Sequence, residues 1–125
     1  MLTLNRIYDN KKPDTIIKLG NGYYYYNYDI KEEQIIETDE EGNSNEITRW
    51  SFIPVYIAGE PNSDDCIKAV IKQYISIEDE LKLINRFYSY KLGITRDETV
   101  ENDYIEYLKM LRGIKEDVKF SFNEL

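Results

Sequence analysis

Residues 20–30 read Gly20-Asn21-Gly22-Tyr23-Tyr24-Tyr25-Tyr26-Asn27-Tyr28-Asp29-Ile30, and their reading decides the fold. Asn-Gly at 21–22 is a strong signal for a two-residue hairpin, because a type I′ turn needs positive φ at both central residues. The five tyrosines then lie on the returning strand. At period two, one face carries Tyr24, Tyr26, Tyr28 and Ile30, and the other carries Tyr23, Tyr25, Asn27 and Asp29. The first face is aromatic or apolar throughout and is expected to line the core. The second turns polar after Tyr25. Tyr23 and Tyr25 therefore need either a cover from their own chain or a partner, and a buried tyrosine also needs a partner for its hydroxyl.

Working outward, short β-type runs fill the chain up to about residue 58. Leu2–Tyr8 and Thr15–Leu19 read as strands, separated by the turn-rich Asp9–Asp14. Glu33–Thr38 gives another short strand around Ile35 and Ile36. A polar loop over 39–45 follows, and then Ile47–Ile57, the longest run. Pro54 has no N–H to donate, which places that strand at an edge or gives it a bulge.

Beyond residue 59 the spacing becomes helical. Ser63 is the expected N-cap of a first helix, with Asp64 and Asp65 where the dipole favours acid, and Ile67, Val70, Ile71 and Tyr74 as its apolar stripe. Ser76 caps a second helix in a variant capping box with Asp79. Leu81, Ile84 and Tyr88 form its expected stripe, with Phe87 beside it, and Gly93 ends it. A third helix opens at Asp97 or Thr99 and buries Val100, Tyr104, Tyr107, Leu108, Leu111 and Val118. The sequence thus predicts an α+β protein: an antiparallel, hairpin-rich sheet over 1–58, then three helices over 59–125.

Composition narrows the chemistry. The 125-residue chain has a formal net charge of −8, which repels phosphate backbones and argues against nucleic-acid binding. It has no histidine, so Ser-His-Asp and Cys-His constellations and His-containing zinc sites are absent. A single cysteine, Cys66, fits a reducing compartment, and its acidic neighbours oppose thiol activation. The acidic clusters at 39–41, 64–65, 78–80 and 97–98 sit mostly where helix starts favour carboxylates, and the first fails the calcium-loop pattern. No phosphate-cradling loop, signal peptide or membrane span is read. The expectation is a chain without catalytic residues, cofactor, metal or small-molecule substrate.

Trp50 and the Val55-Tyr56-Ile57 strand end lead into Gly59-Glu60-Pro61. Then come Ile67-Lys68-Ala69-Val70-Ile71-Lys72-Gln73-Tyr74, Ser76-Ile77-Glu78-Asp79-Glu80-Leu81, and a Tyr104-x-x-Tyr107 helix closing with Lys115 and Lys119. This segment, a little over half the chain, resembles the C-terminal part of small phage and prophage proteins encoded among virion and tail genes of gut-type bacterial viruses. It departs from their pattern at Ile75 and Lys82. The resemblance implies a non-catalytic structural or assembly protein of a phage particle, in the host cytoplasm during assembly and then in the virion. Its partners would be other phage structural proteins or a second copy, with Tyr23 and Tyr25 as the candidate contact. The alternative is a soluble acidic phage effector that binds and inhibits a host defence protein. A small hydrolase remains a third class.

Overall fold

The computed structural model describes residues 6–125. It shows an α+β fold: a four-stranded antiparallel sheet followed by three helices. The strands are β1 (Ile7–Asp9), β2 (Ile16–Gly20), β3 (Tyr23–Thr38) and β4 (Ser44–Ala58), in the spatial order β1-β4-β3-β2. The helices are α1 (Ser63–Tyr74), α2 (Ile77–Lys91) and α3 (Thr99–Asn123). The chain divides into two compact units, with the change between Cys66 and Ile67. Most of the expected first strand, Leu2–Asn5, lies outside the described residues.

In the β unit, Asn21 and Gly22 form the turn with φ of 53° and 78°, the conformation the Asn-Gly pair was expected to adopt. The expected strands around the tyrosines and Ile35–Ile36 prove to be one strand, β3, paired with β4 from Tyr23↔Ala58 to Thr38↔Ser44. An irregularity between Tyr28 and Lys31 joins them. There β3 spends two residues, Asp29 and Ile30, where β4 spends one, and Asp29 takes a positive φ of 54°. Asp and Asn tolerate that region better than most side chains, so an aspartate at this point is locally suited.

The bulge is tied down from three sides. The Arg6 guanidinium donates to the Asp29 carboxylate at 2.9 Å, to the Asp29 carbonyl, and to Ser51 Oγ at 3.1 Å. Ser51, fully buried, donates in turn to Glu33 at 3.0 Å, and Lys31 lies 3.2 Å from Asp29. Beyond the bulge, β3 and β4 run on to a turn in which the Asp39 carboxylate accepts from Glu41 N and Asn43 N. Across that stretch Thr48 donates to Gln34, and Arg49 pairs with Glu37 at 2.9 Å. Pro54 stands opposite Asn27, while β1 opposes β4 only at Trp50–Phe52. Among the described residues, then, no strand flanks β4 at Pro54 on the side away from β3, as a missing N–H requires.

Tyr26, Tyr28, Ile53, Val55 and Ile57 are buried on one face of the sheet, and Tyr24 is half-buried. The odd face is more mixed than its polarity suggested. Asn27 is 2% exposed, because its side-chain N–H donates to the Asp14 carbonyl at 2.7 Å and its backbone N–H to Thr15. The segment before β2 thus meets donor needs of the buried residue, while its Oδ1 is buried with no hydrogen-bond partner among the described residues.

Among the helices, the α1 cap falls one residue earlier than expected. Asn62 Oδ1, not Ser63, accepts from Asp65 N at 2.9 Å. Ser76 Oγ does cap α2, accepting from Asp79 N. Gly93, at φ 77°, closes α2: its N–H donates to the Tyr90 carbonyl, and the Ile94 N–H donates to the Ser89 carbonyl. Asp97 accepts from both the N–H and the hydroxyl of Thr99 at the start of α3, and those bonds, aided by Arg86, hold its carboxyl below the usual range.

Two stripe assignments are corrected. Leu81 is 54% and Leu108 45% exposed, and Tyr88 is exposed as well. On α2 the covered side chains are Leu83, Ile84, Phe87 and Tyr90, with Phe87 stacked on Tyr104 of α3 at 4.0 Å between centroids. The helix carries two apolar stripes at helical spacing, 77/81/84/88 and 83/87/90, and α3 covers the second. On α3 the buried line is Val100, Tyr107, Ile114 and Val118.

Candidate functional site

On the sheet face opposite the buried tyrosines, alternation along β3 turns Tyr23 and Tyr25 outward. Register with β4 sets Tyr56 directly opposite Tyr25 and diagonal to Tyr23. Register with β2 sets Ile17 opposite Tyr25 on the other side. A row of large side chains, Ile17–Tyr25–Tyr56, therefore crosses three strands, about 10 Å from end to end at ordinary strand spacing.

The three rings form one cluster. Tyr23 stacks on Tyr56 with centroids 5.0 Å apart and planes within 17°. Tyr25 meets Tyr56 edge-on at 6.1 Å and 66°. Both are arrangements that the ring quadrupoles favour. All three stay exposed, at 39%, 37% and 56% for Tyr23, Tyr25 and Tyr56, and Ile17 and Leu19 are exposed beside them. The Tyr56 phenol is held above its ordinary pKa, first by loss of solvent and then by the two neighbouring phenols. The patch offers ring faces for apolar contact and hydroxyls for hydrogen bonds, the combination enriched at interface centres.

Of this group, the sequence singles out Tyr23 and Tyr25. Ile17 and Tyr56 escape it for a physical reason. A two-residue turn at 21–22 with regular pairing would set Lys18 opposite Tyr25. A register shift between Lys18 and Gly20 moves Ile17 there instead. Tyr56 belongs to the parity of Phe52 and Trp50, which are buried and half-buried, and only the register with β3 reveals that its own position is open.

The other candidates disperse. Cys66 is buried, and burial, helped by Asp65, pushes its thiol up to about 12, the opposite of activation. Asp39 closes a turn, Asp65 is bonded to Asn62, Glu78 pairs with Lys82, and Asp97 caps α3. Among the described residues, no group of three or more His, Cys, Asp or Glu is placed to hold a metal. A cleft of about 420 Å³ between α2 and α3 carries Asp79, Asp103 and Glu106 against Lys82 and Arg86, with Arg86 reaching toward Asp103 at 3.9 Å. No helix among the described residues is long and apolar enough to cross a membrane. No protein-family model matches the chain, and no curated protein or solved structure matches it either.

Proposed function

We propose that this chain is a non-catalytic structural or assembly protein of a phage particle, and that the Tyr23–Tyr25–Tyr56 face makes its contact with a protein partner. The observation that carries the contact is three mutually packed tyrosines left open on a regular sheet face, flanked by exposed Ile17 and Leu19. Monomer surfaces rarely gather large apolar side chains in this way without a use for them. A sheet face holds the rings rigidly, so little side-chain freedom is lost on docking. The phage setting is supported by the resemblance of the segment from Trp50 to Lys119 to proteins encoded among virion and tail genes. The partner in this reading is another phage structural protein, met in the host cytoplasm during assembly.

Mass spectrometry of purified particles and assembly intermediates, made with the wild-type chain and with the Tyr23→Ser/Tyr25→Ser variant, tests the proposal. Incorporation that is lost in a variant of normal stability supports it. Equal incorporation moves the contact to another face. Absence of the wild-type chain from both particles and intermediates removes the structural role.

A further inference from the structure

A second surface, in the helical unit, differs in charge from the rest of the chain. A groove of about 280 Å³ is lined by Lys68, Ile71 and Lys72 of α1, by Ile75, by Ile77 and Glu80 of α2, and by Tyr107, Leu111 and Lys115 of α3. Its apolar floor is buried Ile75 with half-buried Ile71 and Leu111, and exposed Ile77 extends it. Lys68 and Lys72 stand one helical turn apart on one wall, and Lys115 comes from a different helix.

The charge balance of this groove is unusual for the chain. A protein of net charge −8 here presents three lysines against one carboxylate. That carboxylate is engaged: the Tyr107 hydroxyl, held well above its ordinary pKa by burial, hydrogen bonds to Glu80. The lysines that form ion pairs among the described residues are Lys31, Lys82, Lys91 and Lys109; Lys68, Lys72 and Lys115 are not among them. Lysine heads around an apolar trough complement a ligand that is apolar at its centre and anionic at its margins.

We propose that this groove binds an acidic peptide segment of a partner protein, one large apolar side chain seated over Ile71, Ile75 and Leu111 and its flanking carboxylates met by Lys68, Lys72 and Lys115. The trough is small and open, which suits one or two side chains of a docked segment. The remaining negative charge of the chain repels acidic ligands elsewhere and so confines them to this groove. This surface belongs to a different compact unit from the tyrosine face, and either proposal can fail without the other.

The test uses the full chain and a short fluorescein-labelled peptide with a central leucine pair and two glutamates on each side, read by fluorescence anisotropy and by amide shifts in NMR. Saturable binding is expected, with shifts centred on Lys68–Ile75 and Leu111–Lys115 and with affinity falling as salt rises. Lys72→Glu/Lys115→Glu should weaken it by about tenfold or more. Lys72→Gln/Lys115→Gln, which adds no repulsion, should weaken it less but measurably. Replacing the leucines by glycine should abolish it. Four results would each overturn the proposal: no saturation at millimolar peptide, unchanged affinity in both double variants, equal binding of the leucine-free peptide, or shifts centred elsewhere. Displacement of the peptide by vesicles of anionic phospholipid at lower concentration than any peptide requires would reassign the groove to a lipid surface and likewise overturn it.

Discussion

Arg6 grips Asp29 twice, through the carboxylate at 2.9 Å and through the main-chain carbonyl, at the one point where β3 breaks its pairing with β4. The contact joins residues 23 positions apart and fixes a bulge that local sequence does not announce. Asp29→Ala removes the charge partner and puts a side chain less suited to positive φ at 54°. The expected loss is about 1–3 kcal/mol in urea denaturation. Asp29→Asn keeps the backbone preference and should lose less. Equal losses for the two variants would show that the ion pair with Arg6, not the backbone preference at positive φ, is what Asp29 contributes.

Core and surface positions on the helices should separate cleanly. Ile114→Ala, at 3% exposure, should cost about 2–5 kcal/mol. Leu81→Ala and Leu108→Ala, at about half exposure, should each cost well under half of that. Thermal melts of the three variants check the ranking. A Leu81 variant as damaged as the Ile114 variant would contradict the exposed placement of Leu81.

The folded state should conceal Cys66. A buried thiol with its pKa pushed up to about 12 reacts slowly with disulfide reagents at pH 8 and quickly once the chain is unfolded. The linkage has a definite sign. The native thiol keeps its proton where an unfolded thiol, with a pKa of about 8.5, gives it up. The contribution is therefore fully present below that pH and is lost as pH rises toward 12. Tyr107, also raised, adds a similar loss at higher pH. Stability measured from pH 8 to 10 should fall for the wild type and fall less steeply for Cys66→Ala. Parallel curves would contradict the burial of the thiol.

The two tyrosine faces should also differ. Tyr23→Ser/Tyr25→Ser removes exposed rings and their packing on Tyr56, at a cost of about 0.5–1.5 kcal/mol per ring pair. Tyr26→Ser removes a ring that is 1% exposed and should cost several times more, about 3–5 kcal/mol by analogy with other buried aromatics. Chemical denaturation of the isolated protein measures both. Equal losses would show that Tyr23 and Tyr25 belong to the core.

The tyrosine strand, the Asn-Gly turn, the Ser76 cap and the Gly93 stop were legible because each is a local preference that the fold leaves intact. The inward face of Tyr26 and Tyr28 followed from alternation alone. What escaped the sequence depends on register and on partners far along the chain. The bulge at Asp29 needs Arg6, the seat of Asn27 needs Asp14 and Thr15, and Tyr56 joins the exposed cluster only through its pairing with Tyr25. On α2 both 81/84/88 and 83/87/90 fit helical spacing, and only the position of α3 decides between them. The lysine groove was equally hidden, since its walls come from separate helices.

The extra residue at 29–30 acts as a phase shifter. Before it, even-numbered residues of β3 share a face with Ile53, Val55 and Ile57; after it, odd-numbered ones, Glu33 and Ile35, share that face with Arg49 and Ile47. Deleting one of the two residues there would restore one-to-one pairing and leave both limbs on their present faces, whereas a deletion elsewhere in β3 would turn every side chain on one limb to the other face. The alternation of apolar positions thus carries a hidden frame change at Asp29. A distant relative of this chain is best sought by a pattern that switches parity at that point, because a search with one uninterrupted period would score half of its longest strand as noise.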